Sequence, residues 1–236
     1  MTEPTPEAAS AAAPSDGLPA LLFDLDGTLV DSVYQHVTAW HEALAECEIE
    51  LSMWRIHRRI GMSGGLFLHA LQREAGRQFD EPLLARLAEL HAAAYLSRAG
   101  TVRPLPGARE LVKQLSLRGV PYAIATSGTI ATASSAIDML GLPDDIPVIT
   151  RDQVERAKPD PQLFLAAAAA LGIAPQHCFV IGDSVWDLLA ARRAGALGVG
   201  VLSGGYGRDE LQAVGAYRVY ADAADLLDRL EEVGVR

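Results

Sequence analysis

Short apolar runs and helical periodicities alternate along the chain. Leu18-Pro-Ala-Leu-Leu-Phe23 is apolar and stops at Asp24, as a strand buried on both faces does. After the turn Asp26-Gly-Thr28, the residues Val33, Val37, Trp40, Leu44 and Cys47 recur three or four apart, which gives a helix one apolar face. Further helical stretches are expected at 52–60, 64–75 and 81–97, punctuated by Gly61, Gly64, Gly65 and Gly76, with Pro82 in a first turn. No strand is expected in that block.

Beyond Val102 strands and helices alternate. Pro106-Gly107 opens a helix to Arg118, Val120–Ala125 reads as a strand, and a helix follows over 129–140. Ile146–Ile149 and His177–Ile181 are strand-like, separated by a helix over 160–171 that contains the run Ala166–Ala170. A helix over 184–194 ends at Gly195, Ala196–Leu202 is a strand, and a last helix spans 222–232. The alternation predicts an α/β fold: a Rossmann-like parallel sheet with helices on both faces. The predicted core is 19–33 and 103–236. A helical-bundle cap over 34–102 is inserted after the first strand, and residues 1–18, rich in Ala, Pro, Ser, Thr and Glu, read as a disordered tail.

Composition narrows the function classes. Half of the 236 residues are hydrophobic and 21% are charged, enough to build a sizeable core. A net charge of −10 argues against a general nucleic-acid binder or a basic membrane-surface protein. A phosphate must then be bound locally, by a few cations, backbone N–H groups or a metal ion. Two cysteines, Cys47 and Cys178, make no disulfide framework and no thiolate zinc cluster. The longest apolar stretch, 163–174, suits a buried helix rather than a membrane span. No Lys or Arg precedes Arg55, so a secretion signal is not expected, and the cytoplasm is the expected location.

Four sets of polar residues lie just after predicted strands or at loop–helix junctions: Asp24 and Asp26, Thr126 and Ser127, Lys158, and Asp183 with Asp187. In an open parallel sheet the carboxyl ends of the strands share one edge, so these sets can converge. Phosphoryl transfer needs a nucleophile, a proton donor for the leaving oxygen, cations for the phosphoryl oxygens and in-line positioning. One of two aspartates a residue apart can attack while the other trades protons. Several carboxylates at one point call for a hard cation, and Mg²⁺ fits oxygen ligands with retained waters. Lys158 can neutralise phosphate and nucleophile. The Thr126 hydroxyl and the backbone N–H groups near Ser127 and Gly128 can donate to phosphoryl oxygens at a helix N-terminus.

Asp24-Leu-Asp-Gly-Thr28, Thr126, Lys158-Pro159 and Gly182-Asp-Ser-Val-Trp-Asp187 occur in the order of the four motifs of the haloacid dehalogenase superfamily. The chain resembles its subfamily with a helical cap between the first two motifs. The resemblance implies that Asp24 is the nucleophile and a Mg²⁺ ligand. It implies that Asp26 is the general acid and then the base, with its main-chain carbonyl on the metal. Thr126 and Lys158 would hold the phosphoryl group, Asp183 would ligate Mg²⁺, and Asp187 would support the metal's water shell.

Within the superfamily, Asp26 argues for phosphoryl transfer over dehalogenation, which needs no acid for a leaving phosphate ester. No lysine precedes Lys113, so a cap lysine forming a Schiff base has no candidate. Tyr34-Gln-His-Val-Thr-Ala-Trp40 resembles the first cap helix of mutases similar to β-phosphoglucomutase. Those mutases carry an acidic residue where this chain has Gly182, and a cap arginine near the positions of Gly64 and Gly65. The expectation is a Mg²⁺-dependent phosphatase of a small soluble sugar-phosphate or phosphoglycolate type, acting through an aspartyl-phosphate, with no nucleic-acid or membrane partner. A phosphosugar mutase is the alternative, and a receiver-like phosphoacceptor module the more distant one. Among the histidines, His36 lies near the expected hinge and is a candidate substrate contact. His41, His57, His69 and His91 are expected at the surface or in packing. Arg55, Arg58 and Arg59 form either a solvated helix face or a second anion contact, with Arg58 the candidate. Gly61-Met-Ser-Gly-Gly65, with Gly64 its candidate contact, is either a helix connection or a loop facing the site. Gly204-Gly-Tyr-Gly207 reads as a loop.

Overall fold

The computed structural model describes residues 17–62, 64–76 and 78–236. Most of the expected tail, and Ser63, lie outside the described residues. Among the described residues eight strands occur in chain order: β1 Ala20–Phe23, β2 Val30–Asp31, β3 Arg103–Pro104, β4 Tyr122–Ala125, β5 Val148–Ile149, β6 Cys178–Gly182, β7 Leu197–Val201 and β8 Arg218–Tyr220. Six form one parallel sheet in the order β5-β4-β1-β6-β7-β8, while β2 and β3 pair antiparallel by themselves.

Burial explains why the central strands read as continuous apolar runs. On β1, Leu21 and Phe23 enter the cluster on one face of the sheet, and Ala20 and Leu22 enter the cluster on the other. Tyr122 and Ile124 of β4 alternate with Ala123 and Ala125 in the same way. With both faces covered, no position can be polar, so period-2 polarity is lost. One face is covered by α5 Ala108–Leu117, α6 Ile130–Asp138 and α10 Ala223–Leu227. The other is covered by α7 Gln162–Ala170 and α8 Val185–Ala194. A short helix, α9 Arg208–Ala213, packs near the β7–β8 edge with its own small cluster around Leu211.

Between β2 and β3 the described residues make four α-helices: α1 Val33–Glu46, α2 Met53–His57, α3 Gly64–Ala75 and α4 Glu81–Leu96. They bury a separate apolar cluster that includes Val37, Trp40, Leu44, Ile56, Phe67 and Leu87. The α4 N-terminus is set by Asp80, whose carboxylate accepts from the Leu83 N–H, with Pro82 in the first turn. The chain leaves and rejoins the sheet side by side, because Val30 faces Pro104 and Asp31 faces Arg103.

Several expectations change: α9 has no counterpart among the expected helices, and the helix expected over 52–60 is the shorter α2 Met53–His57. β8 was not foreseen: three residues beginning with an exposed arginine give no periodicity. The β2–β3 pair joins residues some seventy positions apart, which no local pattern reveals. The last helix is shorter than 222–232; it stops at Leu227, and a 3₁₀ turn follows at Leu230–Val233. Asp222 caps that helix by accepting from the N–H groups of Ala224 and Asp225.

Candidate active site

β1, β4 and β6 are the three central strands, and the chain order reverses between them. Pairing of Phe23 with both Ile124 and Ile181 levels their carboxyl ends. Asp24, Thr126 and Asp183 therefore emerge together at the place where open α/β sheets take ligands. The Asp24 N–H donates to the Ile181 carbonyl at 2.9 Å and the Thr126 N–H to that of Ile149 at 2.9 Å, so each exit is anchored.

Lys158 is fully buried. Its Nζ donates to Asp24 Oδ1 and lies 2.8 Å from Asp187 Oδ1. Burial disfavours its charge, but the Asp187 and Asp24 carboxylates outweigh that and hold it firmly protonated, above the usual lysine value. Asp187 spends its other oxygen on α8: Oδ2 accepts from the Ser184 N–H at 3.1 Å and from Ser184 Oγ at 2.5 Å. Ser184 in turn caps α8, and Gly195 closes its far end in the left-handed conformation (φ 79°).

Asp24, Asp183 and Asp187 offer carboxylate oxygens that all lie within 4.8 Å of one another. One lysine does not balance three buried carboxylates. Burial, opposed by Lys158 but reinforced by Asp187 and Asp26, pushes Asp24 up to about 7. Burial, reinforced by Asp187 and Asp24, raises Asp183 well above the carboxylate range. A hard divalent cation among oxygen donors relieves this crowding, so the donor set fits such an ion. Asp24 and Asp183 are the better direct ligands, since both Asp187 oxygens are engaged. Asp183 is tightly surrounded. A side chain on Gly27 or on Gly204 would overlap its carboxylate, and Thr28 Oγ1 donates to its Oδ1 at 3.3 Å.

Asp26 is separate from this cluster. Its Oδ1 accepts from Ser32 Oγ at 2.5 Å and faces His36 Nε2 at 3.3 Å, and its Oδ2 accepts from Thr126 Oγ1 at 3.4 Å. Burial works to raise its pKa, but the His36 ring, the Ser32 hydroxyl and Lys158 together hold it below the usual carboxylate range. The side chain of Asp26 is therefore not grouped with the metal-type carboxylates. Only its main chain remains for the ligand role that the sequence resemblance implied.

Above these groups lies a cavity of about 380 Å³ between the sheet edge and the four-helix unit. Asp24, Asp26, His36, Gly64, Ser127 and Gly128 line it, as the sequence suggested. Gly128 N–H donates to Thr126 Oγ1 at 3.0 Å, which shapes the loop that carries them. Arg58 does not line it. Its guanidinium pairs with Glu210 and lies 4.0 Å over the Tyr206 ring, and its carbonyl accepts from Trp186 Nε1 and Tyr206 OH. Arg58 thus ties the helical unit to the sheet unit and is not an anion contact of the cavity. The chain turns next to the site, because Ser127 Oγ donates to the Gly61 carbonyl at 3.1 Å. Gly61 and Met62, together with Gly64 and Gly65 at the start of α3, also line the cavity. Arg59 does line the cavity, paired with Glu74.

Ser32, Trp40, His91, Thr129 and Arg151 escaped the sequence reading. Ser32 sits one residue before α1, and its position at a helix start was the available signal. His91 lies on α4, far from any motif, and only the packing of α4 on α1 brings it to the site. Gly204, the first residue of the stretch 204–207 read as a loop, lies against Asp183.

A model of the haloacid dehalogenase-like hydrolases matches residues 18–195. Phosphoglycolate phosphatase from Rhodospirillum rubrum is 33% identical over 219 residues, covering 89% of this chain and 90% of that protein. Hexitol phosphatase A from Escherichia coli is 34% identical over 182 residues, covering 74% of this chain and 78% of the relative. The crystal structure of a hydrolase from Pseudomonas syringae superposes with a TM-score of 0.88 at 52% identity, over 91% of this chain and 98% of the other.

Proposed function

This chain belongs to the haloacid dehalogenase-like hydrolase family, and on that premise we propose a Mg²⁺-dependent phosphatase of a small soluble phosphate monoester, of sugar-phosphate or phosphoglycolate type. Relatives named as phosphatases support a hydrolase of phosphoric monoesters. The observation that carries the finer reading is the division of labour between two aspartates. Asp24 lies among Lys158, Asp183 and Asp187, while Asp26, two residues on, is turned to Ser32, His36 and Thr126.

In this reading Asp24 attacks phosphorus and the ester P–O bond breaks, with Asp26 giving its proton to the departing oxygen. Water then attacks the phosphoryl group on Asp24 while Asp26 takes a proton from it. The aspartyl bond breaks, and inorganic phosphate leaves with Asp24 restored and Asp26 again carrying a proton. His36, Ser32 and Lys158 favour the ionised form of Asp26; an incoming phosphate dianion favours the protonated form by charge repulsion. Lys158 keeps Asp24 oriented, and Thr126 with the following backbone N–H groups holds phosphoryl oxygens. Asp24, Asp183 and the Asp26 carbonyl would hold the cation, which when bound neutralises charge on the phosphoryl group and its nucleophile. We read residues 34–102 as a cap whose apolar lining excludes water during the reaction.

Gly182 disfavours the mutase alternative. A side chain there would overlap the Asp187 side chain, so this backbone has no room for a further acidic residue before Asp183.

Phosphate release from phosphoglycolate, hexose, pentose and glycerol phosphates, measured with and without Mg²⁺, tests the reading. Activity should require the metal and fall at least about a thousandfold in Asp24→Asn, since the nucleophile is lost. Wild-type protein that is folded yet releases phosphate from none of them would overturn it.

A further inference from the structure

His36 makes two ring contacts, one on each nitrogen. Nε2 faces Asp26 Oδ1 at 3.3 Å, and Nδ1 faces His91 Nε2 at 3.1 Å. Both rings are held flat by aromatic neighbours. His36 stacks on Tyr95 with centroids 3.9 Å apart and 4° between planes, and His91 stacks on Trp40 at 4.1 Å and 13°. The stack runs from α1 to α4 beside the cavity, so its geometry is fixed by the packing of those two helices.

The chemistry of the partners settles where the protons go. Asp26 Oδ1, which already accepts from Ser32 Oγ, faces His36 as an acceptor, so His36 Nε2 carries a hydrogen. Nδ1 then either accepts, when His36 is neutral, or donates, when it is charged. His91 can serve both cases. With hydrogen on Nε2 it donates to His36, and in its other tautomer it accepts. It can do so because it stays neutral: burial and the neighbouring His36 keep its pKa well below the usual histidine value. Phenylalanine would keep the stack on Trp40 but offer neither function.

We propose that His91 is a positioning residue for proton transfer: by engaging Nδ1 of His36 it fixes that ring with Nε2–H on Asp26, and so aims the acid at the leaving oxygen. The proposal rests on the phosphatase reading for its catalytic consequence, and on geometry alone for the orientation of the His36 ring. When Asp26 has given its proton to the leaving oxygen, its new carboxylate charge meets the waiting Nε2–H. No proton need leave His91 in the process.

Two measurements test it on His91→Phe and His91→Gln. The first compares kcat/KM for glycerol phosphate, whose alkoxide needs an acid, with that for p-nitrophenyl phosphate, whose phenolate does not. Because kcat/KM covers steps only as far as loss of the alcohol, hydrolysis of the aspartyl-phosphate does not enter. The ratio of the two should fall about tenfold in His91→Phe, a fraction of what general acid catalysis supplies. It should return towards wild type in His91→Gln, whose amide can donate or accept. An unchanged ratio in His91→Phe, or an equal fall in both variants, overturns the proposal and leaves only a packing role. The second is long-range ¹H–¹⁵N NMR of the imidazoles, which needs no substrate. His36 should show its hydrogen on Nε2 in the wild type at pH 8 and mixed tautomers in His91→Phe. The same spectrum for both sinks the orientation claim. Wild-type protein without phosphatase activity but with the locked His36 tautomer would instead count against the phosphatase reading alone.

Discussion

Lys158 is the residue on which the charge balance of the site turns. It is a fully buried cation with carboxylates on two sides, Asp24 and Asp187, and it reaches them from a loop far away in sequence. Removing one member of such a group leaves the others buried without compensation, which costs about 3–5 kcal/mol. Lys158→Met should therefore lower the melting temperature by about 10 °C at pH 8. The drop should be smaller at pH 5.5. There Asp24, whose pKa already stands near 7, holds its proton and leaves less unbalanced charge. Thermal melts at the two pH values check this; equal drops would mean that Lys158 matters for packing and not for charge. Lys158 was legible in the sequence because an isolated lysine before a proline stands between the Asp24-Leu-Asp26 motif and the Asp183…Asp187 motif. His91 was not: one histidine on a helix face has no local signal, and its meaning arises only when α4 lies against α1.

At the scale of elements, the strands that carry chemistry were the legible ones. β1, β4 and β6 are central and buried on both faces, so each is an apolar run that stops abruptly at a polar residue. That residue is Asp24, Thr126 or Asp183. The elements that escaped, β8, α9 and the β2–β3 pair, are two to six residues long, too short to show a period. The loop after β7 shows what a composition-based reading of glycine leaves out. Gly204 is needed for space and not for backbone freedom, because Asp183 fills the position of its missing side chain. The Ser203 hydroxyl beside it donates to the Gly27 carbonyl at 2.6 Å, which pins this loop to the turn after β1. Gly204→Ala must then push the Asp183 carboxylate or the loop aside. The Mg²⁺ concentration for half-maximal activity should rise about tenfold, the scale found when a metal ligand loses its support. A metal titration of activity measures this, and an unaltered midpoint would show that Asp183 does not ligate the ion.

The molecule as a whole stores repulsion where β1 and β6 end, and that stored repulsion should be readable as a dependence of stability on pH and metal. The pKa of Asp24 stands near 7 in the folded protein against 3.8 for the ordinary side chain, and that of Asp183 is raised as well. Below about pH 4 these groups carry protons in both states and make no difference. Between about pH 4 and 7 the unfolded chain loses its protons while the folded chain keeps them, so stability falls as pH rises through that window. Above it the cost is fully present, and a cation that takes the place of the protons binds best there. At about a hundred times its dissociation constant, Mg²⁺ stabilises by about 2.7 kcal/mol, or roughly 5–10 °C in melting temperature for a chain of this size. At pH 8 that increment should be seen in full, and at pH 5.5 it should be less than half, because protons compete for the same oxygens. Asp183→Asn separates this account from any general effect of salt. With one buried charge removed, the metal-free variant should melt higher than wild type at pH 8, yet gain almost nothing from Mg²⁺. A variant that melts lower than wild type without metal, or that keeps the full increment, would place the cation elsewhere and the three carboxylates in a purely structural role.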